Sequence, residues 1–420
     1  MKGFRPTIMW LSPAAHLSLA LSVVALPVTA AAYSFPVSQI PKAEGTKKSN
    51  KNNNHLHRVA VFGADNRGAL PRKLQALRKS IGLVYNNRAR SVCTGFCVTE
   101  RTIATAAHCL FRTAGERRPK LAEFRFVLRA LKNWPSSRIE GFSTGSPDQF
   151  VIAGSRKLKI EPPIDATRDW ALMRLAKPLC RGAQLPIQVK SESEIAKAAK
   201  DKSLLQVSFH HDYANWRLAH AGPCAIEPVN KHNKNKRIDR DFTAPGDLIL
   251  HRCDTGGASS GSPLLAEGED GRLSVVAINV GTYVQTRMLV ENGKIVRRFK
   301  SDAIANTAVS ARVFADLVEP FTNANLLSSA GDIRQLQTLL KNRGLYDARV
   351  DGSYGPTTRK AIQAFQGNIG DELAGLPTTS LLKELQSLAV QQAPASAKTK
   401  RQSSQQLTGG RLQKKIKQSP

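Results

Sequence analysis

The stretch CTGFCVTERTIATAAHC, residues 93–109, carries the reading of the fold. Ile103 and Ala104 form a strand-like apolar run just before Thr105-Ala106-Ala107-His108-Cys109, so a histidine sits where a strand gives way to a turn. Short runs of that kind recur from about residue 59 to 323: VAVFG, SIGLVY, FRFVL, QFVIAG, WALMRL, LLQVSF, LILH and VVAINVG. Gly, Pro and Asn separate them, which is the pattern of many short strands closing a β-barrel or sandwich.

Outward from this region the text changes. Residues 1–32 read as a secretory signal peptide, with Lys2 and Arg5, the apolar stretch Leu17 to Leu26 and the small residues Ala30-Ala31-Ala32. That apolar stretch is too short to span a bilayer, and no later run is long enough, so no transmembrane segment is expected after signal removal. The implied compartment is exported, periplasmic or extracellular, where disulfides form. Residues 33–58 include the polar, Asn- and Lys-rich KAEGTKKSNKNNNHLHR and read as a propeptide or linker. Residues 389–420 hold seven basic and no acidic residues and read as a disordered cationic tail.

Across 420 residues, 62 Lys and Arg against 32 Asp and Glu give a formal charge of +30, and 41% hydrophobic residues suffice for sizeable cores. The charge favours a polyanionic partner, and for an exported chain that means peptidoglycan or another anionic envelope polymer. No zinc finger, aromatic RNA-binding signature or Walker loop supports specific nucleic-acid readout. A binder of nucleic acid or anionic lipid through charge alone is the weaker reading, recognisable by a steep salt dependence.

Three patterns occur in the order His, Asp, Ser: TAAHC, DWALMRL from Asp169, and CDTGGASSGSPLL, residues 253–265. Each alone has a plain structural explanation. Together, 61 and 91 residues apart and each bounded by strand-like text, they supply a complete nucleophilic constellation. A serine hydroxyl is a poor nucleophile at neutral pH, so Ser260 needs a base, His108, and the base needs a carboxylate, Asp169, to hold its tautomer. The small residues around Ser260 suit a tight turn whose amides, Ala258 and Ser260, point at a developing oxyanion.

These residues resemble the trypsin-like (chymotrypsin-fold) serine peptidases, and more closely the bacterial branch that includes the glutamyl endopeptidases. VFGADNR (61–67), SIG (80–82), CTGFCV (93–98), TAAHC (105–109), DWAL (169–172) and SSGSP (259–263) carry the resemblance, over about residues 59–323. It implies two six-stranded antiparallel barrels with the triad His108, Asp169 and Ser260 between them. Many animal members have Asp before the nucleophile, pairing with a newly formed N-terminus; here that residue is Ser259, so activation by that ion pair is not expected. The oxyanion position usually held by glycine is Ala258, which is less free to adopt φ > 0. Asp254 lies where trypsin would place the carboxylate at the base of its specificity pocket, or it fixes the turn after Cys253. Asn279 stands where glutamyl endopeptidases have a pocket histidine, which argues against a preference for Glu.

Six cysteines allow 15 pairings, which the spacing alone leaves open. The resemblance implies Cys93 with Cys109 and Cys224 with Cys253, which leaves Cys97 with Cys180. No Cys-x-x-Cys pair or His-Glu-x-x-His helix indicates a metal, and no motif calls for a cofactor. His210 and His211 read as ordinary surface or core residues.

From residue 329 helical periodicity takes over, with Ile333, Leu336, Leu339 and Leu340 on one face and Ala361, Ile362 and Phe365 on another. DIRQLQTLLKNRGLYDARVDGSYGPTTRKAIQAFQ (332–366) resembles the peptidoglycan-binding domain at the termini of cell-wall enzymes. Gly344 ends the first helix, Asp351-Gly352 makes a tight turn and Pro356 opens the next helix. The expected architecture is an all-β double barrel, residues 59–323, followed by a small all-α three-helix domain, residues 324–388. Asp351, Tyr354 and Thr358 are the candidate wall-contact positions. The expected activity is hydrolysis of a protein or peptide substrate by a wall-targeted serine endopeptidase; a dead peptidase fold kept for wall binding is the alternative.

Overall fold

The computed structural model describes residues 24–29 and 60–392, except 90, 112–118, 142–148, 160–162, 215, 228–240, 287, 292–293, 299–301 and 368–374. The propeptide or linker, most of the signal peptide and residues 393–420 of the tail lie outside the described residues. Between them stand two large curled antiparallel sheets and a two-stranded ribbon, Met288–Glu291 with Lys294–Arg298, followed by a helical region, as the strand-then-helix text implies.

The first sheet has seven strands, in the order Ser136–Arg138, Phe124–Val127, Ile81–Asn86, Ser91–Cys97, Thr102–Thr105, Ala171–Arg174 and Val151–Ala153. Ile81–Asn86 and Ser91–Cys97 are buried at every position, so alternation of polar and apolar residues is lost in their text. The second sheet has nine strands. Its spine is Leu248–His251, Asp302–Ser310, Leu273–Thr286, Pro263–Glu267, Leu204–Phe209 and Leu218–Ala221. Short strands of two or three residues edge both sheets, Ile226–Glu227 and Arg67–Ala69 here, Ser136–Arg138 and Val151–Ala153 in the first. Val24–Thr29 adds to the second sheet by pairing antiparallel with Gly281–Thr286.

VAVFG departs from the strand reading. Ala60 makes an isolated bridge to Thr255, and the residues after it bend at Gly63 and Ala64 and join no ladder until Arg67. Two of their N–H groups, those of Phe62 and Asn66, are accepted by one side chain, as described below, in place of a strand partner.

One hydrophobic cluster joins both sheets, with Phe96, Phe126, Ile152 and Leu172 from the first and Val207, Leu265 and Ile278 from the second. Helix α1 (Glu192–Lys200), opened by a capping box of Ser191 and Glu194, covers a smaller cluster through Ile195. Helix α2 (Val318–Asn323) puts Val318 and Phe321 into the main cluster and so belongs to the β domain.

The terminal module consists of α3 (Ala330–Asn342), α4 (Pro356–Gln366) and α5 (Thr379–Gln392). Ser329 caps α3 by accepting the Asp332 N–H at 3.0 Å, Gly344 ends it at φ +72°, and Pro356 starts α4, each as its residue type dictates. Ile333, Leu336, Leu340, Ile362 and Leu385 form its core. The module sits directly on the first sheet. Gln149 donates to Leu327 O and Arg174 to Ala324 O, each at 2.5 Å, and Leu376 enters the main hydrophobic cluster.

Candidate active site

The pairing of Thr105 with Ala171 in adjacent antiparallel strands places the residue after one strand and the residue before the next at the same end of the first sheet. That end carries His108 and Asp169. Asp169 Oδ2 lies 2.6 Å from His108 Nδ1, and its Oδ1 accepts the His108 backbone N–H at 2.9 Å. A carboxylate bound at both oxygens fixes the Nδ1–H tautomer, so Nε2 is the atom left to act. Cys109 is bonded to Cys93, anchoring the histidine turn to the strand Ser91–Cys97.

Ser260 arrives from the second sheet, in the turn before Pro263–Glu267. Thr94 of the first sheet ties that turn down: its N–H donates to Ser260 O at 2.9 Å and its hydroxyl to Ala258 O at 2.7 Å. Ser260 O lies 4.0 Å from Cys109 Sγ, so the serine turn abuts the histidine turn. Gly261, at φ +82°, has no room for a Cβ, which would stand 2.2 Å from Thr105 Oγ1 and 2.3 Å from Thr94 O. His108 Nε2 and Ser260 Oγ are both buried, and neither has a hydrogen-bond partner. Unpartnered buried polar atoms are rare in folded proteins and call for a reason.

The peptides flanking Ser260 are held from behind. Gly257 O accepts the His211 N–H at 2.9 Å; Ser259 O accepts the Ser262 N–H and Asn279 Nδ2–H, each at 3.1 Å. In a trans peptide the carbonyl and the next N–H point oppositely, so these bonds aim the N–H groups of Ala258 and Ser260 away from them. Ala258 takes φ +76° despite its Cβ.

Two buried histidines complete the rear of the turn. His251 Nδ1 accepts the Cys253 N–H at 3.3 Å, so its Nε2–H donates to Asn279 Oδ1 at 3.1 Å. His210 Nδ1 accepts the Gly256 N–H at 3.1 Å, and its Nε2–H donates to Ser208 Oγ at 2.9 Å. Burial depresses both, His251 to about 4 and His210 to about 3, where the Arg67 charge adds to the effect. His210 therefore does a specific job that the sequence does not reveal, as do Thr94 and His251. The downstream strand of each signals little, since buried Thr and His look like ordinary strand residues.

Both specificity candidates have other employment. The Asp254 carboxylate is buried and accepts the Phe62 N–H at 2.8 Å and the Asn66 N–H at 2.7 Å, one on each oxygen. Asn279 is buried between His251 and Ser259. The wall-contact candidates make bonds within their own module. Tyr354 and Thr358 are buried; Tyr354 donates its hydroxyl to Gly375 O, and Thr358 and Asp351 meet the buried Gln337 amide. Asp351 is exposed, yet its Oδ1 also accepts the Ser353 N–H at 2.8 Å.

All six cysteines pair: Cys93 with Cys109 and Cys224 with Cys253 as the resemblance implies, and Cys97 with Cys180 as the pair that remained. The two sulfurs beside His108 are thus bonded to each other and supply no thiolate to a metal. No helix of the described residues is long and apolar enough to cross a membrane. The disulfides are consistent with an exported protein.

Comparison with known families matches residues 329–371 to the family described as "Putative peptidoglycan binding domain". No curated protein matches the chain. The β domain is matched to the family described as "Trypsin", a family of serine proteases, over residues 71–287. Since that span is more than half of the 420 residues and holds both turns that meet at His108 and Ser260, the chain belongs to the trypsin family.

Proposed function

We propose that the chain is an exported serine endopeptidase that hydrolyses peptide bonds through an acyl-enzyme and is targeted to the cell wall by its C-terminal module. The observation that carries the reading is the carboxylate of Asp169 fixing His108 at two points while His108 Nε2 and Ser260 Oγ, on turns that abut through Cys109 and Ser260, are both buried and unpartnered. Ser260 Oγ attacks the substrate carbonyl and His108 Nε2 takes its proton. The C–N bond breaks as the imidazolium returns that proton to the leaving amine, and water then repeats the sequence on the ester. Asp169 stabilises the imidazolium, and the Ala258 and Ser260 N–H groups receive the oxyanion. The positive φ of Ala258 supports this use of a residue where relatives usually have glycine.

Within the family, the motifs from VFGADNR to SSGSP taken together resemble more closely the bacterial branch that includes the glutamyl endopeptidases, although Asn279 argues against a Glu preference. Peptidoglycan is the proposed wall ligand and a protein or peptide the substrate. Labelling with a fluorophosphonate tests the reading directly. The full chain is expected to take up one label, at Ser260, and Ser260→Ala to take up none and to lose peptide hydrolysis. Absence of labelling in the folded, wall-binding chain would instead favour a peptidase fold retained for binding.

A further inference from the structure

Ser259 removes the acid that many relatives use to order the nucleophile turn, yet the turn is formed, with Ala258 at φ +76°. Something else must hold it, since an alanine in the left-handed region persists only where its surroundings over-determine it. The support comes from the segment before the first long strand. Thr255 N–H donates to Ala60 O at 3.1 Å, and Asp254 takes the Phe62 and Asn66 N–H groups, one on each oxygen. The segment then turns back at Arg67, whose guanidinium pairs with Asp65 at 2.7 Å and Asp212 at 3.0 Å and lies 5.5 Å from the centre of the Tyr213 ring. Gly256 packs beneath this pair; a Cβ there would stand 2.1 Å from Asp212 Oδ1 and 2.6 Å from Arg67 Nη1. The loop bearing Asp212 also supplies the His210 ring and the His211 N–H that fix Gly256 and Gly257. Segments 60–67, 210–213 and 254–258 thus interlock directly behind Ala258.

We propose that Asp254 is a positioning residue for the nucleophile turn, clamping the internal backbone of Phe62–Asn66 in place of an ion pair with a chain terminus. The inference rests on the peptidase reading above. Its chemistry differs from the terminal-amine device in one decisive respect: both donors are amides inside the chain, so no newly made N-terminus is needed, and the position of any upstream cleavage before Ala60 is immaterial to turnover. A buried carboxylate needs such donors, and replacement by an amide removes one of the two bonds, because one oxygen remains an acceptor while the other becomes an NH2 facing an N–H.

The experiment compares the full chain with Asp254→Asn, and chains beginning at residues 34, 46 and 58. Asp254→Asn is expected to lower kcat about 100-fold, the scale of losing one oxyanion donor. The loss should be equal for substrates with Ala, Leu, Lys, Arg or Glu before the scissile bond, with KM within about twofold and the melting temperature lowered by several degrees but still well above the assay temperature. The three shortened chains should turn over alike. Loss confined to Lys and Arg substrates would make Asp254 a pocket residue and overturn the proposal, as would a strong dependence on the starting residue. Amide hydrogen exchange gives a readout independent of hydrolysis: Phe62 and Asn66 should both be protected in the full chain, and at least one of them exposed in Asp254→Asn. Unchanged protection overturns the clamp even if the chain hydrolyses nothing, whereas failure of the unaltered chain to label or cleave defeats only the peptidase reading.

Discussion

The hydroxyl of Thr94, in the middle of the first sheet, donates to the carbonyl of Ala258, in the nucleophile turn of the second, at 2.7 Å. The same oxygen accepts the Phe209 N–H at 3.1 Å, and Thr105 Oγ1 donates to the Thr94 carbonyl at 2.8 Å. One fully buried side chain therefore connects both sheets and orients the peptide that presents the Ser259 N–H, adjacent to the candidate oxyanion donors. Thr94→Val keeps the shape and removes the hydroxyl, leaving Ala258 O and Phe209 N–H unpaired. The expected outcome is a loss of about 1–3 kcal/mol in stability, from thermal or denaturant unfolding. A fall in kcat of about tenfold or more should accompany it at temperatures where the variant is folded; full activity would make Thr94 a packing residue only.

The two rear histidines set an acid limit. In the fold His251 is depressed to about 4 and His210 to about 3, whereas in the unfolded chain each titrates near ~6.5. Between those values the unfolded state binds more protons, so their contribution is fully present above pH ~6.5 and is lost as pH falls toward the folded values. His251→Gln removes one such group while retaining a donor toward Asn279. Its stability is expected to vary less with pH between about 6.5 and 4, by up to one proton or ~1.4 kcal/mol per pH unit. Unfolding followed across that range measures the slope, and an unchanged slope would show that His251 is charged in the fold.

In the terminal module the decisive residue is Gln337, fully buried on α3. Its Oε1 accepts the Asp351 N–H at 3.1 Å and the Gly352 N–H at 2.9 Å, and its Nε2 lies within 3.1–3.2 Å of Tyr346 Oη, Asp351 Oδ1, Ser353 O and Thr358 Oγ1. Gln337→Leu strands the two loop amides and is expected to cost about 2–5 kcal/mol, abolishing retention on purified peptidoglycan. Tyr354→Phe removes one internal hydroxyl bond and should cost about 1 kcal/mol with wall retention kept. Loss of retention without loss of stability in Tyr354→Phe would restore that residue as a contact.

These particulars show where a single sequence is informative. Strand text, cysteines and the His, Asp and Ser turns are legible because each imposes a local residue pattern: apolar runs between turn formers, small residues around Ser260, Gly344 and Pro356 at helix ends. Gln337 is opaque because a polar residue on an amphipathic helix looks solvent-facing, and only the fold brings the 351–353 loop over it. Asp254 is ambiguous for the same reason. Its partners, Phe62 and Asn66, lie nearly two hundred residues upstream and contribute backbone N–H groups, which carry no side-chain signature. The VFGADNR motif is visible, but its use as a clamp is not.

The seating of the module on the first sheet alters what truncation should do. A deletion of 324–420 designed from periodicity alone would be expected to leave hydrolysis of small peptides nearly unchanged, as though a free appendage were removed. It would instead take away Leu376 from the main hydrophobic cluster and the two carbonyls, Ala324 O and Leu327 O, that satisfy Arg174 and the buried Gln149. Leaving buried donors unpaired costs about 1–3 kcal/mol each, and losing a buried leucine costs a similar amount again. The expected outcome is a peptidase domain that melts several degrees lower after deletion of 324–420, with hydrolysis retained at low temperature. Deletion of 393–420, beyond α5, should leave melting and hydrolysis unchanged. Retention on peptidoglycan separates the two contributions to binding: the 393–420 deletion should weaken it mainly at low salt, where tail charge is least screened, whereas deletion of the whole module should abolish it at low and high salt alike. Unchanged melting after deletion of 324–420 would show that the contacts with Gln149, Arg174 and Leu376 contribute nothing to the β domain.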